Sequence, residues 1–463
     1  MVEVEVIAVG GYNEVGRNMT AVRVGKEIVI FDIGLYLDPI TGNNSVDMEN
    51  MHSLDLIQMG AIPDDTVMNA VEGTVKAIVC THGHLDHIGA VQKLAHRYNC
   101  PIIATPYTTE LIKQQIEGER KFTVTNKTFA LKAGAKYTIS QNLTLEFIRV
   151  QHSIIDSVMA VLHTPAGCVV YANDFKFDMT PVIGEAPDLA RMRAIGKEGV
   201  KVLIVESLNL DDRGYAPSEQ VARLRVRDAI MRAEDDKHAI IVSTFASQIA
   251  RIKTITECAR EIDRIPVLLG RSMERYNGTA EMLKQVAFPQ GTSIYGNRKT
   301  TDRMLRRISK EGKEKFLIIA TGHQGEPGSM LSRMALGETP LKIEKGDRVM
   351  FSANIIPNPI NFAQRAEVDR LLLRQGARLF DGLHVTGHAY YQEHYDLVSM
   401  LNPEHIIPSH GPFHMKGGYV HLASEFGYTL NRDIHIKQNG DRLVLTKCLY
   451  GLNRVSQTGC LQG

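Results

Sequence analysis

The residues best suited to chemistry stand together in one short run, Thr81-His-Gly-His-Leu-Asp-His87, directly after an apolar stretch. Its three imidazoles and one carboxylate are nitrogen and oxygen donors of the kind that Zn²⁺ prefers. Helical spacing would point alternate ligands apart, so the run is predicted to be a loop that leaves a strand. In that geometry His82 and His84 would face one metal site, whereas Asp86 and His87 would turn toward a second.

One loop cannot complete two metal sites, so further ligands are expected at the ends of other strands. Four metal-capable side chains each follow an apolar run elsewhere in the sequence, namely Asp32, His152, Asp174 and His410. The ends of neighbouring strands meet at one rim of a sheet, where the sites of α/β proteins commonly form. Each of these residues alone is an ordinary loop residue, but together with the histidine-rich loop they predict one metal centre.

Strands must position these residues, and the first half of the chain predicts several of them. It contains short β-rich runs that are separated by residues typical of turns. Both alternating and fully apolar runs occur, which favours two sheets with helices on their outer faces. A helical spacing of apolar residues follows the histidine-rich loop at 88–98. The predicted strands are 2–9, 19–24, 27–31, 75–80, 143–150 and 167–172.

From about Leu208 the order changes to strand–helix–strand, which is typical of a mostly parallel, doubly wound sheet. After residue 374 the strand-and-turn texture of the first half returns. We therefore predict a larger domain, 1–208 and 376–463, with a second domain inserted at 209–375. The predicted helices of the insertion are 218–233, 248–262 and 361–374, and its predicted strands are 239–243, 265–269, 316–320 and 348–352.

Composition excludes several classes of function. The 463 residues are 44% hydrophobic and 23% charged, so the chain is long enough for more than one folded domain and is not disordered. The formal net charge of +1 excludes a protein that binds nucleic acid through an overall excess of positive charge. A local basic groove is compatible with this net charge. Because the chain contains no Trp, no ligand can stack on an indole ring.

The sequence predicts a cytoplasmic protein. Its six cysteines are widely spaced and include no CxxC pair, a pattern of reduced thiols rather than of disulfides. The N-terminal residues lack the basic flank and the apolar stretch of a signal peptide. No uninterrupted apolar run of about 18 residues is present, so no membrane span and no membrane partner are expected.

The motifs resemble those of the metallo-β-lactamase superfamily. HxHxDH is the histidine motif of that superfamily, and Asp32, His152 and Asp174 match its flanking motifs. The segment after Asp174 resembles the β-CASP insertion of the branch that processes nucleic acids. The three β-CASP motifs are matched in order by Glu206, His388 and His410.

Two further runs narrow the resemblance to the ribonuclease J family: Thr321-Gly-His-Gln-Gly-Glu-Pro-Gly-Ser-Met330 and His410-Gly-Pro-Phe-His414. The resemblance implies an α/β fold in which a metallo-β-lactamase αββα sandwich carries an inserted, doubly wound α/β β-CASP domain. There are two departures. Thr386 replaces the Ser of the family's HxSGHA run and keeps its hydroxyl, and the C-terminal domain of the long family members is not matched.

The resemblance also implies a site for two Zn²⁺, with Mn²⁺ or Mg²⁺ as alternative activating ions. His82, His84 and His152 would hold one ion, Asp86, His87 and His410 would hold the other, and Asp174 would bridge both. Two dications and two carboxylates leave a charge of about +2, which suits an anionic phosphodiester. Such ions lower the pKa of a bound water toward neutrality, which prepares it to attack phosphorus.

Three more residues are implied to be catalytic. Asp32 would orient a metal ligand or the attacking water. His388, steadied by Glu206, would donate a proton to the departing 3′-oxygen or stabilise charge in the transition state.

The resemblance implies that the 5′ end of the RNA binds just before the second β-CASP motif, at His388. The residues implied to bind the 5′-phosphate and RNA are His384, Val385, Thr386, Gly387 and His388, with Ser247 as a second wall. A phosphate pocket one nucleotide from the metals implies 5′-to-3′ cleavage that releases nucleoside 5′-monophosphates, with some endonuclease activity in addition. The expected partner is single-stranded RNA with a 5′-monophosphate, and a homodimer is a further expectation, although the familiar dimer contact lies in the unmatched C-terminal domain.

Three alternative functions are compatible with parts of the sequence. A strictly endonucleolytic RNA-processing β-CASP nuclease would share every motif. A small-molecule hydrolase of the lactamase or thioesterase type would share the metal cluster but has no reason to carry Glu206 and His388. A non-catalytic RNA-binding subunit should have lost metal ligands, and none is missing.

Overall fold

Three β-sheets and the helices that cover them make up the part of the chain that the computed structural model describes, residues 2–40, 50–233, 237–446 and 454–458. The strands in chain order are β1 Val4–Gly10, β2 Met19–Val24, β3 Glu27–Phe31, β4 Thr74–Cys80, β5 Ile102–Ala104, β6 Thr128–Ala130, β7 Lys136–Thr138, β8 Thr144–Arg149, β9 Val158–Thr164, β10 Gly167–Ala172, β11 Val200–Glu206, β12 Ile240–Ser243, β13 Ile265–Leu269, β14 Ser293–Tyr295, β15 Phe316–Ala320, β16 Arg348–Phe351, β17 Arg378–Phe380, β18 His405–Ser409, β19 Arg442–Thr446 and β20 Arg454–Thr458. The α-helices are α1 Ser53–Gln58, α2 Leu85–Ile88, α3 Val91–Leu94, α4 Pro106–Gly118, α5 Leu189–Glu198, α6 Glu219–Met231, α7 Ile249–Glu261, α8 Arg271–Met282, α9 Arg298–Glu311, α10 Met330–Ala335, α11 Pro359–Arg374, α12 Tyr391–Leu401 and α13 Phe413–Ser424.

Two of the sheets face each other. Their strand orders are β20-β19-β1-β2-β3-β4-β5-β6 and β18-β11-β10-β9-β8-β7. Apolar side chains from both sheets, such as Phe31, Phe147 and Leu445, form the core between them. The outer faces are covered by α1–α4 on one side and by α5, α12 and α13 on the other. This confirms the predicted αββα sandwich.

The third sheet forms the insertion, with strand order β14-β13-β15-β12-β16-β17 and parallel pairing throughout. Its strands are apolar on both faces, and helices cover both faces, as a parallel sheet requires. This confirms the predicted doubly wound insertion. The sheet ends on β17, so it extends past residue 375, where the sequence prediction placed the end of the insertion.

The predicted helix at 88–98 is broken into α2, α3 and a 3₁₀ turn at Ala95–Arg97. The break lies at Ala90, whose N–H donates to the carbonyl of Ile33 (2.9 Å) instead of continuing the helix. Gly89 is needed there, since a Cβ on it would lie 2.7 Å from the Cβ of Leu35. Contact with the chain after β3 therefore overrides the local helical pattern.

The prediction that strand-and-turn texture returns after residue 374 is wrong, because α12 and α13 occupy much of that segment. In α12, the buried residues Tyr391, His394, Leu397, Val398 and Leu401 have helical spacing. They pack on the outer face of the second sheet. The helix therefore completes one outer layer of the sandwich.

The four cysteines among the described residues, Cys80, Cys100, Cys168 and Cys258, are unpaired and buried. Cys448 and Cys460 lie outside the described residues. Among the described helices, none combines the length and the apolar character that a membrane crossing demands.

Candidate metal centre

Three strands of the sandwich end at residues with left-handed backbone. Asp32 follows β3 with φ +58°, Asp174 follows β10 with φ +57°, and His410 follows β18 with φ +52°. Non-glycine residues rarely adopt this conformation, and where they do it is often at a functional site. Each turns sharply off its strand, and all three side chains reach the same rim.

The first group of side chains at this rim contains His82, His84, His152 and Asp174, whose candidate ligand atoms all lie within 4.8 Å of one another. Asp174 Oδ2 is 3.6 Å from His82 Nε2 and 3.5 Å from His152 Nε2. His152 Nε2 is 3.0 Å from His84 Nδ1. This is the set predicted for one ion.

The second group contains Asp86, His87, His410 and again Asp174, within the same 4.8 Å limit. Asp174 Oδ2 is 3.3 Å from His87 Nε2, and its Oδ1 is 3.5 Å from His410 Nε2. Asp86 Oδ2 lies 3.5 Å from His87 Nε2 and 3.7 Å from His410 Nε2. Because Asp174 belongs to both groups, the two groups are adjacent. The structure thus brings together all seven residues that the sequence predicted to be ligands. The prediction of a loop is wrong for Asp86 and His87, which lie on the short helix α2.

The histidines are oriented by hydrogen bonds on their outward nitrogens. His87 Nδ1–H donates to Asp32 Oδ2 (2.7 Å), and His152 Nδ1–H donates to the carbonyl of Gly387 (2.7 Å). His410 Nδ1–H donates to Asn18 Oδ1 (2.8 Å). Each bond leaves the Nε2 lone pair facing the centre, which is the arrangement that metal-binding histidines adopt.

The other two histidines follow the same rule. Thr81 donates its hydroxyl proton to Asp32, so its oxygen is free to accept from His82 Nδ1–H at 3.1 Å. His84 has its Nε2 on the Ser247 hydroxyl (3.2 Å) and its Nδ1 toward the centre. Ser247, predicted to be a wall of the RNA site, therefore also contacts a candidate ligand.

Two buried atoms at the centre have no hydrogen-bond partner, His82 Nε2 and Asp174 Oδ1. Their residues are 0% and 2% exposed. A buried polar atom without a partner costs about 1–3 kcal/mol, so a centre of this kind fits a ligand that the amino acids do not supply. Imidazole nitrogens and carboxylate oxygens fit divalent cations, Zn²⁺ above all.

The protonation states suit cation binding. Burial lowers the pKa of His82 and His152, and it lowers the pKa of His84 to about 4, so these imidazoles are neutral. Burial disfavours the charged form of Asp174, but the charges of His410 and His87 outweigh it and hold its pKa well below the usual range. Neutral imidazoles and an ionised carboxylate are the forms that bind metals. His87 is the exception, because the carboxylates of Asp174, Asp86 and Asp32 outweigh burial and raise its pKa, so its Nε2 must lose a proton when an ion binds.

Asp32 and Asn18 position the ligands without belonging to either group. Asp32 is fully buried and also accepts a hydrogen bond from the Thr81 N–H (2.9 Å), which ties β3 to the start of the histidine-rich loop. Asn18 donates from Nδ2 to the Asp86 carbonyl (3.0 Å) while its Oδ1 receives His410. No motif in the sequence marks Asn18, because an asparagine next to a glycine-rich turn carries no metal-binding signature.

We expect Gly34→Ala to damage the centre. A Cβ on Gly34 would lie 1.7 Å from the backbone oxygen of Asp86, so the start of α2, which carries Asp86, must move. The expected result is a loss of about 1–3 kcal/mol or more in the free energy of unfolding and a metal affinity lower by about 10–100-fold. Thermal unfolding and calorimetric metal titration measure both quantities. Gly118→Ala is the matched control, since a Cβ there meets no atom within 4 Å; equal effects of the two substitutions would contradict this expectation.

Glu206 and His388 form a third arrangement beside the two groups. His388 Nδ1–H donates to Glu206 Oε2 (2.7 Å), and the other oxygen of Glu206 accepts from the Phe175 N–H (3.0 Å). The His388 ring lies 4.7 Å from that of His152. Burial opposes the charged form of His388, but the carboxylates of Glu206 and Asp174 raise its pKa to about 9. A protonated His388 can therefore donate a proton at the edge of the centre.

The predicted phosphate-binding segment lies along a cleft next to His152. Val385, Thr386 and Gly387 line the cleft, whereas three other predicted residues, His384, His388 and Ser247, do not. The His384 ring lies 6.4 Å from that of Phe245. The Thr386 oxygen accepts from the His388 N–H (3.2 Å), so its own proton is free to donate. The buried side chain of Lys176 supports this segment, because its Nζ donates a hydrogen bond to the Thr386 carbonyl (3.0 Å). Lys176 belongs to no recognisable sequence motif, so only the fold reveals this contact.

Comparisons with known proteins match most of the chain. Family models match residues 72–172 (metallo-beta-lactamase superfamily), 237–369 (ribonuclease J, beta-CASP domain) and 376–436 (Zn-dependent metallo-hydrolase RNA specificity domain). The chain is 54% identical to ribonuclease J of Methanocaldococcus jannaschii, over 95% of this chain and 98% of the relative. It is 42% identical to ribonuclease J of Pyrococcus abyssi (97% and 98%) and 30% identical to ribonuclease J2 of Bacillus subtilis (95% and 74%). A crystal structure of a protein of unknown function from Enterococcus faecalis V583 has the same fold, with a TM-score of 0.62 at 14% identity, over 96% of this chain and 100% of that one.

Proposed function

We propose, from the premise that this chain belongs to the ribonuclease J family and is a metal-dependent RNA-processing nuclease, that it cleaves RNA 5′-to-3′ with two Zn²⁺. The observation that carries the proposal is the sharing of Asp174 by two ligand groups directly beside the cleft at Val385–Gly387. His82, His84, His152 and Asp174 would hold one ion; Asp86, His87, His410 and Asp174 would hold the other. When bound, such ions neutralise phosphate charge and activate water for in-line attack.

The residues around the ions divide the remaining work. Asp32 holds the Nδ1–H of His87 and so keeps its Nε2 directed at the centre. Glu206 holds the Nδ1–H of His388 in the same way. The free Nε2–H of a protonated His388 is then the donor for the departing 3′-oxygen, which leaves the downstream product with a 5′-phosphate.

The cleft supports recognition of the RNA 5′ end. Its lining holds two cationic side chains, Lys176 and Arg251, and two carboxylates, Asp178 and Glu219, so bulk charge does not attract a phosphate there. Recognition of a terminal 5′-monophosphate would instead rest on hydrogen-bond donors. One such donor is the hydroxyl of Thr386, which lies next to His388. Because the cleft also borders His152, a phosphate held there would place the next phosphodiester at the centre.

The identity of the 5′ end tests the proposal. RNAs of one sequence with a 5′-monophosphate, a 5′-hydroxyl or a 5′-triphosphate are compared, labelled so that mononucleotides and internal fragments are resolved. We expect the monophosphate substrate to be degraded at least about tenfold faster, a difference of about 1.4 kcal/mol, and to yield nucleoside 5′-monophosphates from the first time points.

Thr386 supplies the matched variants for this assay. Thr386→Val removes the hydroxyl and should abolish the preference for the monophosphate, whereas Thr386→Ser keeps the hydroxyl and should retain it. Equal rates on all three RNAs with internal fragments as first products would replace the proposal with a strictly endonucleolytic nuclease.

A further inference from the structure

A second cluster of metal-capable side chains lies at the opposite end of β10 from Asp174. His163 near the end of β9 and Cys168 at the start of β10 are directly paired across the hairpin. Glu198, the last residue of α5, completes the set, and we call these three residues the hairpin cluster. No motif in the sequence marks His163 as a ligand, and it is the fold that brings Cys168 and Glu198 to it.

The distances in the hairpin cluster match those of a metal site. His163 Nδ1 is 3.5 Å from Cys168 Sγ and 3.5 Å from Glu198 Oε2, and all three ligand atoms lie within 4.8 Å of one another. A tetrahedral Zn²⁺ with bonds of about 2.0–2.3 Å separates neighbouring ligand atoms by about 3.3–3.6 Å. An ion therefore fits between these atoms with little movement.

The surroundings of His163 orient its ring for this role. His163 Nε2 is 2.7 Å from Glu146 Oε2, and Glu146 is itself held by Arg191 through contacts of 2.6 and 2.9 Å. A carboxylate that holds the outer N–H of an imidazole is the usual partner of a metal-binding histidine. The Nδ1 lone pair then faces the Cys168 thiol and the Glu198 carboxylate.

The same geometry argues against a simple ion pair. A charged Nδ1–H donating to Glu198 would shorten the contact to about 2.7–2.9 Å, whereas the distance is 3.5 Å. Arg191 Nη1 contacts the other carboxylate oxygen of Glu198 at 2.7 Å, which leaves Oε2 for another partner.

We propose that His163, Cys168 and Glu198 bind one Zn²⁺ or a similar thiophilic divalent cation, at a site separate from the centre at Asp174. Cys168 is buried, whereas the Glu198 side chain is 40% exposed, so a water molecule is the fourth ligand of the ion. The ion joins hairpin β9–β10 to the C-terminus of α5. Binding exchanges the Cys168 S–H bond for a sulfur–metal bond and releases one proton to solvent.

Cobalt spectroscopy of the full chain tests the proposal independently of RNA cleavage. The protein is stripped of metal with a chelator, kept reduced, and titrated with Co²⁺. None of the seven residues at the Asp174 centre is a cysteine, so a thiolate-to-cobalt charge-transfer band in the near ultraviolet can report only a cysteine site. We expect this band, the uptake of one ion associated with it, and the release of one proton. Absence of the band at saturating Co²⁺ would overturn the proposal.

Three variants locate the site. Cys168→Ser should abolish the band, lower the bound metal by one ion per chain and leave RNA cleavage unchanged. Glu198→Gln, at a half-exposed position that does not threaten folding, should weaken binding by about tenfold or more. Cys258→Ser is the matched control, since Cys258 is equally buried and belongs to no metal-capable group among the described residues. A band that survives Cys168→Ser, or disappears equally in Cys258→Ser, assigns it to another cysteine and contradicts the proposal.

Discussion

Replacement of Asp174 by asparagine should lower RNA cleavage by about 10³-fold or more while RNA binding is largely retained. Among the described residues of this rim, Asp174 is the only one that belongs to both ligand groups. Its carboxylate oxygens lie 3.3–3.6 Å from ring nitrogens of four histidines. Asparagine keeps the shape but removes the charge that binds two cations. The loss corresponds to several kcal/mol of transition-state stabilisation. Single-turnover cleavage and elemental analysis of the purified variant measure the two effects.

His421→Ala is the control for Asp174→Asn, since His421 is an exposed histidine on α13. It should leave the metal content and the cleavage rate unchanged. Circular dichroism establishes whether Asp174→Asn is folded. A folded Asp174→Asn variant that cleaves RNA within tenfold of the wild-type rate would refute a shared centre.

Replacement of His388 by alanine should lower kcat by about 10²–10⁴-fold, the usual contribution of a general acid, and leave metal content and RNA affinity unchanged. His388 lies close to Asp174 and Glu206, and the three could together approach an ion. The carboxylates beside it, however, outweigh burial and raise the pKa of His388 to about 9, which keeps it a proton donor. Its removal therefore withdraws a proton donor rather than an ion. Cleavage at saturating RNA separates this effect on kcat from an effect on binding.

A chemical substitution in the RNA distinguishes proton donation from mere support. A 3′-sulfur at the scissile bond leaves as a thiolate and does not need a proton, so the defect of His388→Ala should shrink at least about tenfold on this substrate. Glu206→Gln should also lower kcat, and its defect should also shrink on the sulfur substrate, because the substitution weakens the hydrogen bond that positions His388. If the defect of His388→Ala is as large with sulfur as with oxygen, His388 is not the acid.

Much of the fold follows from local patterns. The bounds of β2, β3, β10, β13 and β15 coincide with the predicted runs, because each is an apolar stretch between turn residues. Helices were harder to place. The split of α2 and α3 arises from the Ala90–Ile33 contact, and α12 is helical because its apolar face covers a sheet; neither cause is visible in a short window of sequence.

By itself, the sequence determined which groups could do chemistry: a histidine-rich loop after one strand, and single Asp or His residues after others. Their residue types set the donor atoms, and donor atoms restrict the kinds of ion and substrate. Only the tertiary structure decided how these groups combine. Asp174 serves two groups, Asn18 reaches His410 across 392 positions of chain, and Gly387 holds His152 across 235. Such contacts depend on strand order and on the turns after β3, β10 and β18, and distances across a folded core are not written into the spacing of residues along the chain.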